Sequence, residues 1–267
     1  MTDRYAVIGN PVAHSKSPQI HALFASQTGC DMRYEAILAP PDGFAATVQR
    51  LQNEGYKGCN ITVPFKFEAF RLATRLTERA QAAQAVNTFS FDGHAILGDN
   101  TDGAGLVCDI QENLGICLAG HRVLLMGAGG AAYGVVLPLL AAGASLTVAN
   151  RTPDKAQQLR AAFAAQGAIN VSTYEELRGR PFDVVINATS SGLSDEMPPL
   201  PQGVFAANAL AYDMMYGHET PFIAFARKHS AQVADGLGML VEQAAESFFL
   251  WRGIRPETAP VIAALRS

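Results

Sequence analysis

Residues 122–134 read RVLLMGAGGAAYG: an apolar strand candidate runs into Gly127, Ala128, Gly129, Gly130 and Ala131, and a helix-compatible run follows to about residue 142. Gly127 permits a tight turn, and Gly129 lets the backbone approach a pyrophosphate. The next helix then points its unpaired N–H groups at the phosphates. An ordinary strand-to-helix turn uses glycine in the same way, but here strand and helix flank the loop on the sides that nucleotide binding requires. About twenty residues further on, LTVANRTPDK ends a second apolar strand in Asn150 and Arg151. An acid at that place accepts hydrogen bonds from both ribose hydroxyls and repels a 2′-phosphate. A guanidinium attracts that phosphate and stacks on the adenine. Thr152 adds a hydroxyl and Lys155 a second positive charge. A solvated basic helix start is the plainer alternative, yet the first turn of a helix is electrostatically a poor place for cations. The expected cofactor is NADP(H) in preference to NAD(H). In NATSSG, residues 187–192, Thr189 and Ser190 follow a further strand and can line the path of the nicotinamide half, although a polar turn explains the motif equally well.

Three further stretches are polar in unusual ways. GNPVAHSKSPQIH, residues 9–21, leads from a strand into a helix with Pro18 in its first turn, where proline is favourable. Ser15 and Ser17 are natural caps there, and two hydroxyls at a helix start can equally hold a ligand carboxylate. NITVPFK, residues 60–66, ends a strand against Pro64, with Thr62 at the terminus and Lys66 just beyond. A lysine on a surface helix usually faces solvent, so Lys66 alone signals nothing. GDNTDGAG, residues 98–105, places Asp102 at a helix start, where capping is the plain role. Asn87, in AVNT, lies just before a hairpin.

Strands and helices alternate along all 267 residues, which implies α/β layers with a largely parallel sheet. Early strand candidates are 5–9, 34–38 and 59–63, separated by helices at Ser17–Thr28 and 42–54. A hairpin over 88–97 turns at Asp92 and Gly93. A second series has strands at Arg122–Met126, Ser145–Ala149, 184–187 and 210–214. We place the boundary near Asp102, which gives a first domain at 1–101 and a second at 102–237. Residues 232–235 form a last strand of the second domain, and a helix at 239–250 with the tail 256–265 returns to complete the first with 238–267. A cleft between the two domains is the expected ligand site.

Composition excludes several classes. A net charge of −4 gives no case for nucleic acid or an anionic membrane surface, and no apolar run has the length of a membrane span. The first residues, MTDRYAVIG, lack the pattern of a secretory signal, and the four cysteines are scattered without a C-x-x-C pair, so reduced thiols in the cytoplasm are expected. The six histidines show no metal-ligand spacing, and no metal is expected. No heptad seam or apolar edge marks a dimer surface, which favours a monomer over a homodimer.

SKSP, NITVPFK, AVNT, GDNTDG, GAGGA, NRT, NATSSG, YDMMYG and ADGLGMLVEQ stand in the order seen in shikimate dehydrogenases, and the chain resembles that family over essentially its whole length. The resemblance implies an N-terminal α/β substrate domain and a Rossmann-type doubly wound NADP-binding domain. It implies NADPH-dependent reduction of 3-dehydroshikimate to shikimate, a step toward aromatic amino acids. By the same resemblance Lys66 and Asp102 are the catalytic pair, and Ser15 and Ser17 hold the substrate carboxylate. Thr62, Asn87, Tyr216 and Gln243 face the ring and its hydroxyls. Gly127, Gly129, Gly130, Asn150, Arg151 and Thr152 match the NADP positions, with Thr189, Met214, Gly236 and Met239 nearer the nicotinamide. The family often has arginine where this chain has Tyr133 and Lys155, which leaves fewer guanidiniums near the nucleotide.

The chemistry agrees with this assignment. Hydride delivered to a ring ketone builds negative charge on the oxygen, which an ammonium stabilises and protonates. A free lysine, with a pKa of about 10.4, is a poor base for the reverse reaction. A neighbouring carboxylate favours the charged amine further, so Asp102 is expected chiefly to position Lys66 and bind a substrate hydroxyl. Two alternatives compete: a broader quinate/shikimate dehydrogenase using NAD, and a non-catalytic sensor of shikimate-like ligands. Arg151 without an acid at Asn150 opposes the first, and the intact Lys66, Asp102 and glycine loop oppose the second.

Overall fold

The computed structural model of the protein describes residues 2–189, 197, 199–229 and 231–266. The chain divides into two compact units, Met1–Leu106 with Leu240–Ser267, and Val107–Met239. Each contains one six-stranded sheet.

The first unit begins with β1 (Asp3–Gly9), α1 (Ser17–Thr28), β2 (Met32–Leu38), α2 (Phe44–Asn53) and β3 (Gly58–Ile61). Next come α3 (Lys66–Leu72), β4 (Arg75–Leu76) and α4 (Glu78–Ala83), then the hairpin β5 (Thr88–Asp92) and β6 (Ala95–Asp99), then α5 (Asp102–Cys108). The strand order is β2-β1-β3-β5-β6-β4. β1 pairs in parallel with both β2 and β3, while β5 runs antiparallel to β3 and to β6. The sheet is therefore mixed, because a tight turn at Gly93 can only join antiparallel neighbours. β3 ends at Ile61, two residues short of the expected strand: Pro64 has no N–H to continue a ladder, and the Phe65 N–H turns back to the Thr62 carbonyl (3.0 Å). The hairpin is longer than expected and pairs Thr88 with Asp99 at its open end. One face of the sheet forms a core in which Ala6, Ile8 and Ile61 meet Phe44, Val48 and Leu51 of α2, with Phe65 and Phe89.

In the second unit a π turn at Asp109–Asn113 precedes β7 (Arg122–Met126), α6 (Gly130–Ala141), β8 (Ser145–Ala149) and α7 (Pro153–Ala162). β9 (Ile169–Ser172), β10 (Phe182–Asn187), β11 (Phe205–Asp213), α8 (Pro221–Lys228) and β12 (Gln232–Ala234) follow. The order β12-β11-β10-β7-β8-β9 is parallel throughout. This is the doubly wound dinucleotide order, and it reverses between β7 and β10, the place where such sheets bind ligand. Fully parallel strands are covered on both faces and so read as apolar runs rather than alternating ones. Leu124, Met126, Val185 and Ala211 accordingly form a core with Phe222, Ile223 and Ala226 of α8, while Val123 and Leu125 of the same strand β7 are buried as well. β9 was not among the expected strands; its short stretch INVS has one exposed and one half-buried side chain and no strong apolar signal.

α9 (Leu237–Arg252) starts in the second unit, and from Leu240 onward it belongs to the first, as does α10 (Ala259–Arg266). Val241, Ala244, Ala245 and Phe248 of α9 pack with Ile20 and Phe24 of α1 and Val261 of α10. Tyr5 of β1 stacks on Trp251 at 4.6 Å, so alternate residues of β1 meet different layers.

Gly127 has φ +110°, and a Cβ there would stand 2.9 Å from the Ala188 carbonyl oxygen. Gly127→Ala therefore meets both backbone strain and a clash. We expect it to cost about 2 kcal/mol, read as a lowered Tm, and to weaken dinucleotide binding in a fluorescence titration.

Candidate active site

The topology of the first unit gathers its polar loops at one sheet edge. β1 and β3 are parallel, so their carboxyl ends lie side by side: the Asn10 N–H donates to the Val63 carbonyl and the Thr62 N–H to the Ile8 carbonyl, both at 2.9 Å. β5 is antiparallel to β3, so Asn87, just before it, arrives at the same edge. There the Ile61 N–H donates to the Asn87 carbonyl at 2.7 Å. β6 returns antiparallel to β5 and delivers Asn100, Thr101 and Asp102.

Lys66 opens α3 and Asp102 opens α5, and Lys66 Nζ lies 2.5 Å from Asp102 Oδ2. Their side chains are 17% and 8% exposed, which leaves an ammonium at the surface of a mostly enclosed ion pair. Asn87, 2% exposed, donates from Nδ2 to Asp102 Oδ1 (2.8 Å) and to Thr101 Oγ1 (2.9 Å), and lies 3.4 Å from Gln243 Oε1. Its Oδ1 accepts from the Thr101 N–H (2.8 Å) and from Thr88 Oγ1 (2.9 Å). Gln243 on α9 donates to the Leu240 carbonyl (2.8 Å). Seven sequence-expected residues, Ser15, Ser17, Thr62, Lys66, Asn87, Asp102 and Gln243, thus belong to the first unit, and Lys66, Asp102, Asn87 and Gln243 form one connected cluster. Ser15 accepts the Ser17 N–H at 3.3 Å just before and at the start of α1, and Ser17 is 5% exposed. Tyr216 stands in the second unit, half-buried beyond β11.

Supporting residues escaped the sequence reading. Asn60 donates to Thr88 Oγ1 (3.0 Å) and Ser247 Oγ (2.9 Å) and accepts from the Tyr34 hydroxyl (2.8 Å). The one signal for Ser247 is its position four residues after Gln243 on an otherwise apolar helix face, which lets it donate to the Gln243 carbonyl (3.1 Å). Asp99, 1% exposed, is gripped by Arg79 through Nε (2.7 Å) and Nη2 (2.6 Å), by the Thr77 hydroxyl (2.5 Å) and by the Asn100 N–H (2.7 Å). Burial disfavours its charge, but these donors outweigh burial and hold its pKa below the ordinary value.

In the second unit the described residues among those expected at the nucleotide follow strand carboxyl ends or stand in the first turn of the next helix. Gly127 follows β7, and its N–H donates to the Ala149 carbonyl (2.8 Å). Ala128 and Gly129 lead into Gly130 and Ala131 at the start of α6, whose first N–H groups have no partner within the helix. Asn150, Arg151 and Thr152 follow β8. Asn150 Nδ2 donates to the Thr152 carbonyl (2.9 Å), and Arg151, Thr152 and Lys155 are exposed. Thr189 follows β10, and its hydroxyl donates to Asn187 Oδ1 (2.7 Å). Asn187 in turn donates to Asp213 Oδ2 (3.2 Å), next to Met214. Ser190 lies outside the described residues. Gly236 and Met239 flank the start of α9. Tyr133 sits with its ring centroid 5.9 Å from that of Phe163. A close-approach turn, a helix N-terminus and exposed cations fit a dinucleotide that carries an extra phosphate. No cluster of metal-ligating side chains occurs among the described residues, and no helix among them is long and apolar enough to cross a membrane.

A doubly wound nucleotide sheet, joined in one chain to a unit that presents an ammonium–carboxylate pair, defines the class of nicotinamide-dependent oxidoreductases. Three family profiles agree. "Shikimate dehydrogenase substrate binding domain" matches residues 7–89, "Shikimate / quinate 5-dehydrogenase" matches 109–194, and "Shikimate 5'-dehydrogenase C-terminal domain" matches 236–266. The NADP(+) shikimate dehydrogenase of Nitrosospira multiformis is 63% identical over 100% of this chain and 98% of its own. The structure of the Ael1 enzyme from Pseudomonas putida is 50% identical, with TM-score 0.94 over 99% of this chain and 98% of that one. The Thermus thermophilus shikimate 5-dehydrogenase in complex with NADP(H) and shikimate is 33% identical, with TM-score 0.89 over 99% of both chains. The chain belongs to the shikimate dehydrogenase family.

Asp99 offers a test of the framework behind the pair. Its folded pKa lies below the unfolded value of about 3.9. Its contribution to stability is therefore complete above that pH and is lost as pH falls through the folded value. Asp99→Asn should cost about 2 kcal/mol at pH 7, given that Arg79 is partly exposed. In calorimetry the Tm gap between wild type and variant should shrink as the pH is lowered from 7 to about 3.

Proposed function

We propose that the protein reduces 3-dehydroshikimate to shikimate with NADPH, reversibly, with the first unit holding the substrate and the second the nucleotide. The observation that carries this reading is the 2.5 Å Lys66–Asp102 pair, oriented by Asn87. Bound NADPH supplies the hydride. Lys66 Nζ stabilises the charge that develops on the ketone oxygen and donates the proton to it. Asp102 fixes Nζ through Oδ2 and accepts a ring hydroxyl, and Asn87, Thr62, Gln243 and Tyr216 bind the remaining ring hydroxyls. Ser15 and Ser17 donate to the substrate carboxylate. Gly127, Ala128, Gly129, Gly130 and Ala131 take the pyrophosphate. Asn150, Arg151, Thr152 and Lys155 take the 2′-phosphate side, and Thr189, Ser190, Met214, Gly236 and Met239 take the nicotinamide side. The Nitrosospira relative's name and the ligands of the Thermus structure support this assignment. The working unit is a cytoplasmic monomer.

Nicotinamide absorbance, followed with shikimate or quinate and with NADP⁺ or NAD⁺ in parallel, tests the reading. Reduction of NADP⁺ by shikimate is expected to dominate. Equal turnover with NAD⁺ or quinate would move the protein to the broader specificity, and no turnover with any pair from folded protein would remove the enzymatic reading. Lys66→Ala should lower kcat by about 10²–10⁴-fold and leave NADP⁺ affinity close to wild type, with a lowered Tm because Asp102 loses its charged partner. Arg151→Ala should raise the KM for NADP⁺ about tenfold and leave the KM for NAD⁺ nearly unchanged.

A further inference from the structure

The turn that opens α9 is pinned by two buried side chains from elsewhere in the second unit. Asp109, 4% exposed, stands in the π turn, and Tyr212, with no exposed surface, stands on β11. The Tyr212 hydroxyl donates to Asp109 Oδ2 at 2.6 Å and accepts the Met239 N–H at 3.3 Å. Asp109 Oδ1 accepts from Asn113 Nδ2 at 2.9 Å. The carboxylate lies directly against the turn: a Cβ built on Gly238 would stand 1.9 Å from Oδ1 and 2.2 Å from Cγ. Only glycine fits there, and the reason is close approach rather than backbone angle.

Electrostatics explains why a carboxylate is kept in such a dry place. The first N–H groups of a helix are unpaired and its N-terminus is partially positive. The first turn of α9 has no acidic residue of its own. Asp235 accepts the Leu237 N–H only at 3.4 Å, and the Asp109 carboxyl group stands against the turn one residue further along. On the other side of the same turn the Gly236 N–H donates to the Met215 carbonyl at 2.9 Å. The backbone of Gly236 to Met239 is therefore fixed from both flanks.

We propose that Asp109 and Tyr212 are positioning residues for hydride transfer: they hold the Gly236–Met239 turn, and through it the nicotinamide, in its reactive orientation. This rests on the assignment of Gly236 and Met239 to the nicotinamide side. Neither residue touches substrate or nucleotide; both act through the backbone of the turn. A turn released by a fraction of an ångström would still bind the adenosine half, but it would present the nicotinamide less well.

Tyr212→Phe removes the hydroxyl and keeps the ring, and Asp109→Asn keeps the shape and removes the charge. Both are compared with wild type for kcat, for the KM of shikimate, for the inhibition constant of 2′,5′-ADP, and for the primary isotope effect with shikimate deuterated at the reacting carbon. Tyr212→Phe should lower kcat by about tenfold to a hundredfold and raise the isotope effect, because hydride transfer becomes more limiting. The 2′,5′-ADP constant and the KM of shikimate should stay close to wild type. Asp109→Asn should shift the same quantities in the same direction. A lowered Tm with kcat and isotope effect unchanged in both variants would make the pair purely structural and overturn the proposal. Failure of the underlying assignment looks different: wild-type protein would then show no NADP⁺-linked turnover or no inhibition by 2′,5′-ADP.

Discussion

The polar edge of the first unit depends on one contact, the 2.5 Å approach of Lys66 Nζ to Asp102 Oδ2. Two charges withdrawn from water lose hydration worth several kcal/mol each, and their attraction recovers it only when their other hydrogen-bonding capacity is met. Asn87 meets that requirement for Asp102 Oδ1. Its own orientation leaves little choice. Oδ1 of Asn87 is engaged by the Thr101 N–H and the Thr88 hydroxyl, so Nδ2 must point toward Asp102. The chain of contacts continues through Thr88 to Ser247 and Asn60 and ends at the Tyr34 hydroxyl. The Lys66–Asp102 pair is thus held by a lattice of neutral groups that themselves have one arrangement.

The two units reach comparable ends by different topologies. The second uses only parallel strands, so every strand delivers its following loop to the same edge, and glycine, guanidinium, hydroxyl and amide groups gather there with no other device. The first reverses direction twice through its hairpin. It thereby brings the start of β5 and the end of β6 to the carboxyl ends of β1 and β3. Asn87 and Asp102 are separated by the length of that hairpin in sequence and by 2.8 Å in space.

This difference explains what was legible in the sequence. Apart from β9, the strands of the second unit announced themselves, since apolar runs such as VLLM and LTVA mark strands buried on both faces. The glycine turn was readable because its chemistry is local to a few residues. In the first unit the motif residues were visible, but the mixed sheet was not. The hairpin itself was legible from Asp92 and Gly93, but not its insertion, antiparallel to β3, into a sheet expected to be largely parallel. The grip of Arg79 on Asp99 joins residues from α4 and the end of β6, and no local pattern encodes it. Asn60 stands in the NITVPFK motif, yet its role is set by Ser247, far along the chain on α9. Long-range polar partners of this kind leave only a faint trace, a lone polar residue on an apolar face.

Asn150 shows how one position can be constrained twice. Its amide donates to the Thr152 carbonyl at 2.9 Å and closes the turn that leads into α7. An aspartate there would lack the donor and would set two acceptors against each other, at a cost of about 1 kcal/mol in this solvent-exposed turn. The same change would place a negative charge beside Arg151, the residue proposed to draw the 2′-phosphate. On the proposed assignment, a preference for a phosphorylated ribose is tied to the shape of this turn as well as to Arg151. Tyr133 has meanwhile turned toward Phe163, and Lys155 stands exposed on α7, so neither replaces a planar guanidinium. Under the proposed assignment, discrimination between the two nucleotides is concentrated in the Asn150–Arg151 pair, and an exchange of preference would require the turn to be rebuilt along with the charge.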